Sequence, residues 1–155
     1  MQEKESAVFV YATSNDVSQL PPELLRKGRF DEMFSVKFPN KMERGEIFKI
    51  HLRKKKREAL LDNGKISLEL LTNATSGFSG AEIEACITES LYSAFYENRE
   101  LAQTDILEAV RNTVPLSETM KERLGRLEEW CKNRTRSASY SPEDDVTYGR
   151  TVEAN

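Results

Sequence analysis

Arg26 and Arg29 lie three residues apart on either side of Gly28, an arrangement that could contact phosphate. Guanidinium is permanently charged and planar, and it can form forked hydrogen bonds with phosphate oxygens. Upstream, Asn15 follows the apolar run 8–12, whose composition predicts a strand buried on both faces. In open α/β sheets, residues at the carboxyl ends of strands contact ligands. The residues alone leave two interpretations open: phosphate contacts, or solvated arginines beside neighbouring carboxylates.

Hydrophobic periodicity predicts the elements that follow these residues. Residues 33–38 alternate between apolar and polar side chains, which predicts a second strand that Pro39 ends. From residue 42 the spacing becomes helical and places Ile47, Ile50 and His51 on one face.

A later helix is predicted to begin at Ser79. Ser79 and Glu82 have the spacing of a capping box, in which each side chain satisfies the other residue's backbone N–H. Thr104 and Ser117 are the predicted N-caps of two further helices. Apolar residues recur at four-residue steps along the helix after Ser79, at Ile83, Ile87, Leu91 and Phe95.

Two segments carry a family resemblance. NDVSQLPPELLRKGRFD, residues 15–31, resembles the second region of homology of the AAA ATPases, and GFSGAEIE, residues 77–84, resembles part of their helical lid. Their order and spacing are also those of the family, with the greatest similarity to AAA ATPases of cyanobacteria and plastids. The resemblance implies an α/β remnant, formed by the last two strands of a parallel core sheet, followed by an all-α lid, so the chain should be predominantly helical.

The same resemblance implies the domain boundaries. Residues 1–40 correspond to the C-terminal part of the large α/β subdomain, and residues 41–113 correspond to the helical lid. Residues 114–132 are predicted to form a C-terminal helix. Residues 133–155 are polar and patternless, which predicts a disordered tail.

For catalysis, the resemblance assigns roles to three side chains. Asn15 matches sensor 1, which positions the attacking water near the γ-phosphate; the alternative is an asparagine that begins a turn. Arg26 and Arg29 match the arginine fingers, which act in trans on the ATP of a neighbouring subunit.

For nucleotide binding, the resemblance points to the lid. His51 matches a residue beside the adenine, although a lone histidine on such a face is usually a core or edge residue. Gly80 and Ala81, within the stretch from Gly77 to Glu82, match the lid segment on the adenine and ribose side. Small residues allow a close approach of the backbone, and helix capping is a compatible second role.

The phosphate-binding and metal-binding motifs of such an enzyme are absent from these 155 residues. A Walker A loop needs Gly, four residues and then Gly-Lys-Ser/Thr, whereas Gly64-Lys65 is followed by Ile66. No acidic pair follows an apolar strand, so Walker B is missing too. We therefore expect neither ATP hydrolysis nor autonomous nucleotide binding by this chain alone.

Our first hypothesis is the C-terminal fragment of an AAA ATPase. In the intact protein, ATP with Mg²⁺ would be bound and hydrolysed in a homo-oligomeric ring, typically a hexamer, that remodels a protein substrate. The second hypothesis is a stand-alone regulatory or adaptor module that binds a full-length AAA ATPase. A third is a nucleic-acid-binding helical bundle that uses the basic run 53–57.

Composition limits these alternatives. The formal net charge of −3 argues against general nucleic-acid binding, and the run 53–57 is expected to be a solvated helix face. Two distant cysteines and one histidine exclude a Cys/His zinc site, and no metal site is expected. No apolar run approaches the ~18 residues of a membrane helix. A cytoplasmic location, or the stroma in a plastid-bearing organism, is expected.

Overall fold

The computed structural model describes residues 8–17, 20–21, 23 and 30–139. The chain divides into two compact units, one of which is Lys37–Lys121 and the other residues up to Val36 together with those from Glu122. The described elements, in chain order, are β1 Phe34–Ser35, α1 Lys41–Lys54, α2 Ala59–Asp62, α3 Leu68–Ala74, α4 Gly80–Tyr96, α5 Gln103–Asn112, α6 Leu116–Thr119, α7 Lys121–Cys131 and β2 Arg136–Ser137.

Within Lys37–Lys121, helix α1 is fixed at its start by a capping box. Asn40 Oδ1 accepts from the Glu43 N–H at 3.0 Å, and Glu43 Oε2 accepts from the Asn40 N–H at 2.8 Å. The buried Arg44 then donates to the carbonyls of Pro39 at 2.8 Å and Thr72 at 3.0 Å. Burial lowers the pKa of Arg44. These two bonds tie α1 to the end of α3.

The core of this unit is apolar and centred on α1 and α4. On α1 the fully buried residues are Phe48 and Leu52, which lie one turn apart and C-terminal to Arg44. Ile50, predicted on the same face as His51, is instead 47% exposed. The other buried apolar side chains come from the surrounding segments: Leu60, Ile66, Leu71, Phe78, Ile83, Cys86, Ile87, Ala94, Leu101, Ile106, Ala109 and Val110.

The predicted apolar face of α4 holds only over its first half. Ile83 and Ile87 are fully buried, whereas Phe95 is 82% exposed. A helix has 3.6 residues per turn, so each four-residue step drifts by about 40° and three steps by about 120°. Ser90 and Ala94, which are buried, carry the core face onward instead.

The other unit contains a two-stranded parallel sheet with Phe34 opposite Arg136 and Ser35 opposite Ser137. The strand expected at residues 8–12 is not formed: this described segment is extended and exposed, with Phe9 at 93%. A strand needs partners for its backbone groups, and no other described strand pairs with residues 8–12. Sequence reasoning did not predict β2.

The described chain is predominantly helical with one small parallel sheet, which confirms the predicted fold class. The capping box at Ser79 is confirmed as well. The predicted N-caps Thr104 and Ser117 are wrong. The N-cap of α5 is Ala102, and Ser117 lies inside the short helix α6, whose N-cap is Pro115, while the helix that contains Trp130 is α7.

A carboxylate accepts from a backbone N–H at each of these helix starts, one from within α5 and one from α4. Asp105 Oδ2 accepts from the Ala102 N–H at 2.9 Å, and Glu82 Oε1 accepts from the Leu116 N–H at 2.6 Å. A free N–H at a helix start is therefore satisfied without a hydroxyl at the N-cap.

Candidate functional site

Two of the predicted site residues, His51 and Gly80, lie one turn apart along the surface where α1 packs against α4. A Cβ built on Gly80 would lie 3.6 Å from Ile47 Cδ1. One turn further along both helices, His51 Nδ1 lies 3.4 Å from Glu84 Oε1. We call these four residues the α1–α4 seam. The seam brings His51 beside the start of α4, although 28 residues separate His51 from Ser79 in the sequence.

The imidazole of His51 is mostly enclosed by this packing. Its side chain is 12% exposed, while that of Glu84 is 50% exposed. Nδ1 is buried and makes no hydrogen bond of acceptable geometry with any described residue. The 3.4 Å separation from Glu84 is within ion-pair reach, but its alignment is not that of a hydrogen bond. The ring therefore keeps an unsatisfied polar atom at the seam.

The start of α4 is held by Glu82. Its Oε2 accepts from Ser79 N–H and from Ser79 Oγ, both at 2.7 Å, and Ser79 Oγ accepts from the Glu82 N–H at 3.3 Å. Burial alone would raise the pKa of Glu82, but the hydrogen bonds from Ser79 and Leu116 outweigh it and lower that pKa. Glu82 thus remains ionised and fixes the turn that presents Gly80 and Ala81.

Gly80 and Ala81 form the first turn of α4, where backbone N–H groups have no intrahelical acceptor. No described residue accepts from these two N–H groups outside the helix. The contact between a Cβ at Gly80 and Ile47 would be an ordinary van der Waals distance. Packing against α1 therefore does not require glycine at position 80.

Gly77, by contrast, is required by its surroundings. Its φ is +77°, in the left-handed region that glycine adopts without penalty. A Cβ at this position would overlap Ser117 Oγ and lie 3.3 Å from Ser117 Cβ. Together with the bond from Leu116 to Glu82, this close approach joins the start of α4 to the start of α6.

Asn15 belongs to the other compact unit and is exposed, in a bend. The turn around it is local: Ser14 Oγ accepts from the Asp16 N–H at 3.2 Å. The Asp16 carboxylate accepts from Arg123 at 3.1 Å. An exposed amide in a hydrogen-bonded turn is compatible with both interpretations given above. Arg26 and Arg29 lie outside the described residues.

The basic run 53–57 is partly neutralised by carboxylates. Arg53 Nε lies 2.8 Å from Glu58 Oε2, and Arg57 Nε lies 2.6 Å from Glu100 Oε1. The three lysines between these arginines are exposed. The run is thus a charged surface segment whose two ends are paired.

Comparison with known proteins decides the family. No protein-family model matches the sequence. The chain is 45% identical to the uncharacterised AAA domain-containing protein ycf46 of Guillardia theta over 131 residues, which cover 84% of this chain and 25% of that protein. It is 46% identical to the protein of the same description in Pyropia yezoensis over 140 residues, 90% of this chain and 28% of the relative. The chain belongs to the AAA ATPase family.

A second kind of AAA protein is also similar. The proteasome-activating nucleotidase of Saccharolobus solfataricus is 42% identical over 123 residues, which cover 75% of this chain and 29% of that protein. The chain therefore spans about a quarter of the length of the curated relatives it matches.

The imidazole Nδ1 of His51 and the backbone N–H groups of Gly80 and Ala81 are polar groups that remain without a hydrogen-bond partner in the described residues near the seam. Among the described residues no group of three or more histidine, cysteine or acidic side chains could hold a metal ion. No helix in the described part is long and apolar enough to span a bilayer.

Sequence reasoning missed one residue of this region, Glu84, and one contact of Glu82. The contact of Glu84 with His51 depends on the packing of α1 against α4. Glu84 lies four residues after Gly80 and His51 lies four residues after Ile47, so both lie one turn beyond the contact between Gly80 and Ile47. The second role of Glu82, its bond to the Leu116 N–H, spans 34 residues and has no local signal.

Proposed function

We propose that this chain is the C-terminal part of an AAA ATPase subunit and that residues 41–113, within the compact unit Lys37–Lys121, are its helical lid. The observation that carries the proposal is the α1–α4 seam, in which His51 contacts Glu84 one turn beyond the contact of Gly80 with Ile47, in a chain 45% identical to an AAA domain-containing protein. His51 and Gly80 are residues that the family resemblance assigns to the nucleotide.

In this proposal the seam forms the base and ribose side of the nucleotide site. His51 contacts the base, and the first turn of α4, at Gly80 and Ala81, approaches the ribose through its backbone. Glu82 keeps that turn in place through its three accepted bonds. The phosphates and Mg²⁺ are held by residues outside this sequence, and ATP supplies the phosphoryl group whose hydrolysis drives the subunit.

The remaining catalytic groups act from outside the lid. Asn15 orients the attacking water as sensor 1, since phosphoryl transfer depends mainly on positioning and charge stabilisation. Arg26 and Arg29 reach the ATP of a neighbouring subunit, so the working unit is a homo-oligomeric ring, a hexamer, that remodels a protein substrate. A relative described as a proteasome-activating nucleotidase supports a ring that acts on proteins.

The compartment follows from the cysteines. Cys86 and Cys131 are both free thiols in the described chain. Disulfides are rare in reducing compartments, so free thiols are compatible with the cytoplasm or the plastid stroma, where we place the protein.

Trans action of the arginines can be tested in the longer polypeptide that carries the phosphate loop. Arg29→Ala should lower ATP turnover by roughly 10³–10⁵-fold, the contribution of a trans arginine in related systems. Lys27→Ala, which removes a cation from the same segment, is the matched control and should change turnover little.

Mixed rings then separate trans from cis action. Subunits with Arg29→Ala are combined with subunits whose phosphate loop is inactivated, and ATP hydrolysis is measured. Recovery of activity is expected, because some interfaces then pair an intact loop with an intact arginine. No recovery, or an equal loss with Lys27→Ala, would contradict the proposal.

A further inference from the structure

His51 Nδ1 is a buried polar atom without a hydrogen-bond partner among the described residues, and the proposed contact with the base does not give it one. An unpaired donor or acceptor in a protein interior is destabilising, so such atoms almost always have a partner. Among the described residues, the Glu84 carboxylate is within ion-pair reach, with Oε1 3.4 Å away. The nearby Glu82 carboxylate is already occupied by Ser79 and Leu116.

Glu84 is well placed to complete this contact. It lies one turn after Gly80 on α4, across the seam from His51. Its side chain is 50% exposed, so it is free to turn, whereas the imidazole at 12% exposure is confined by its surroundings. A small rotation of the carboxylate would convert the 3.4 Å contact into an aligned hydrogen bond.

We propose that Glu84 is a positioning residue whose carboxylate accepts a hydrogen bond from His51 Nδ1–H and thereby leaves Nε2 as the hydrogen-bond acceptor of a neutral ring. The two nitrogens of a neutral imidazole differ, since one carries hydrogen and the other a lone pair. The partner of one nitrogen therefore decides what the other can bind.

The consequence is a preference for one class of base; it rests on the proposed function. A lone pair on Nε2 can accept from an exocyclic amino group, which adenine carries at C6, where guanine has a carbonyl oxygen. A ring with hydrogen on Nε2 would favour the carbonyl. Glu84 would thus favour purines with an amino group at C6 over purines with a carbonyl oxygen there, without touching the base.

The test is made on the complete chain without nucleotide. His51 is its one histidine, so the imidazole signals need no assignment. Long-range ¹H–¹⁵N NMR of the ¹⁵N-labelled protein at about pH 8, above the usual imidazole pKa of ~6.5, reports which nitrogen is protonated. The wild type should carry hydrogen on Nδ1, the tautomer that free histidine disfavours.

Three variants isolate the role of the carboxylate. Glu84→Ala should change the tautomer ratio by about tenfold or more toward Nε2–H, because a hydrogen bond to a charged acceptor is lost. Glu84→Gln keeps an acceptor oxygen and should retain Nδ1–H. Glu89→Ala, an exposed glutamate on the same helix, should leave the ratio unchanged.

A wild-type ring protonated on Nε2, whether neutral or cationic, would overturn the inference. So would an unchanged tautomer ratio in Glu84→Ala. Either result would leave the proposed function standing, because no nucleotide is involved. Conversely, the full-length protein could show the expected tautomers and yet fail to bind ATP. That combination would reject the proposed function but would still support the role of Glu84 in setting the tautomer.

Discussion

Gly77→Ala should be one of the most damaging single-methyl additions in the unit Lys37–Lys121. The residue has φ +77° and faces Ser117 across the junction between α4 and α6. A non-glycine residue in the left-handed region is strained by about 1 kcal/mol. The overlap with Ser117 Oγ adds roughly 1–3 kcal/mol, the usual penalty for overpacking. The expected loss in unfolding free energy is therefore about 2–4 kcal/mol.

Gly64→Ala is the matched control. Gly64 has a similar φ of +73°, but nothing lies within 4 Å of a Cβ built there. This variant should carry the backbone strain alone, about 1 kcal/mol. Urea unfolding of the full chain, followed by far-ultraviolet circular dichroism, measures both losses through the shift of the midpoint at constant slope.

A double-mutant cycle then isolates the steric part. In the Ser117→Ala background the overlapping Oγ is gone, while the Cβ remains 3.3 Å from the new methyl. Gly77→Ala should therefore be about 1–2 kcal/mol less destabilising there than in the wild type. Equal losses for Gly77→Ala and Gly64→Ala, with no relief in the cycle, would refute the junction between α4 and α6.

Three further predictions concern the same helical unit. Phe48→Ala should lower the unfolding free energy by about 3–5 kcal/mol, because Phe48 is fully buried. Phe95→Ala should change the unfolding free energy by no more than about 0.5 kcal/mol in the same urea assay, because Phe95 is 82% exposed. Glu82→Ala should accelerate hydrogen exchange of the Leu116 amide, measured by NMR, since that N–H loses its acceptor; unchanged exchange would speak against the bond. Hydrogen bonds from an arginine lower the pKa of Asp105, so the stabilisation by its carboxylate is complete above the ordinary aspartate pKa of ~3.9 and is lost as the pH falls through the lowered value. The urea midpoint of Asp105→Asn should therefore decline less steeply in acid than that of the wild type. An identical decline would exclude this contribution.

The arginine behind this last prediction is Arg99. Its Nη1 and Nη2 bond the two carboxylate oxygens of Asp105 at 2.6 and 2.7 Å. Asp105 Oδ2 also accepts from the Ala102 N–H at the start of α5. The forked geometry explains why a buried aspartate is stable there.

Local sequence signals predicted the helical unit well. The capping box at Ser79 and the helix after it follow from spacing alone, because both depend on residues within one turn. The exposure of Phe95 was missed because four-residue steps drift around the helix. Residue spacing placed Ile50 on one face with His51, but Ile50 is half exposed, because tertiary packing selects the face that α1 buries.

Contacts distant in sequence could not be predicted. The pairing of β1 with residues 136–137 joins segments about 100 residues apart, within a region that composition predicts to be disordered. The strand predicted at 8–12 has the right composition but no partner among the described strands. At the candidate site, His51, Gly80 and Ala81 were identified through the family resemblance, whereas Glu84 depends on how two helices pack.

The mass of the native gene product distinguishes a fragment of a longer AAA subunit from a stand-alone module. An antibody against Lys37–Lys121 would be used to measure that mass in the source cells. A band about four times the 17.8 kDa of this chain is expected, because the chain spans about a quarter of its AAA relatives. A band near 17.8 kDa would contradict the fragment proposal and would favour a stand-alone module that binds a full-length AAA ATPase.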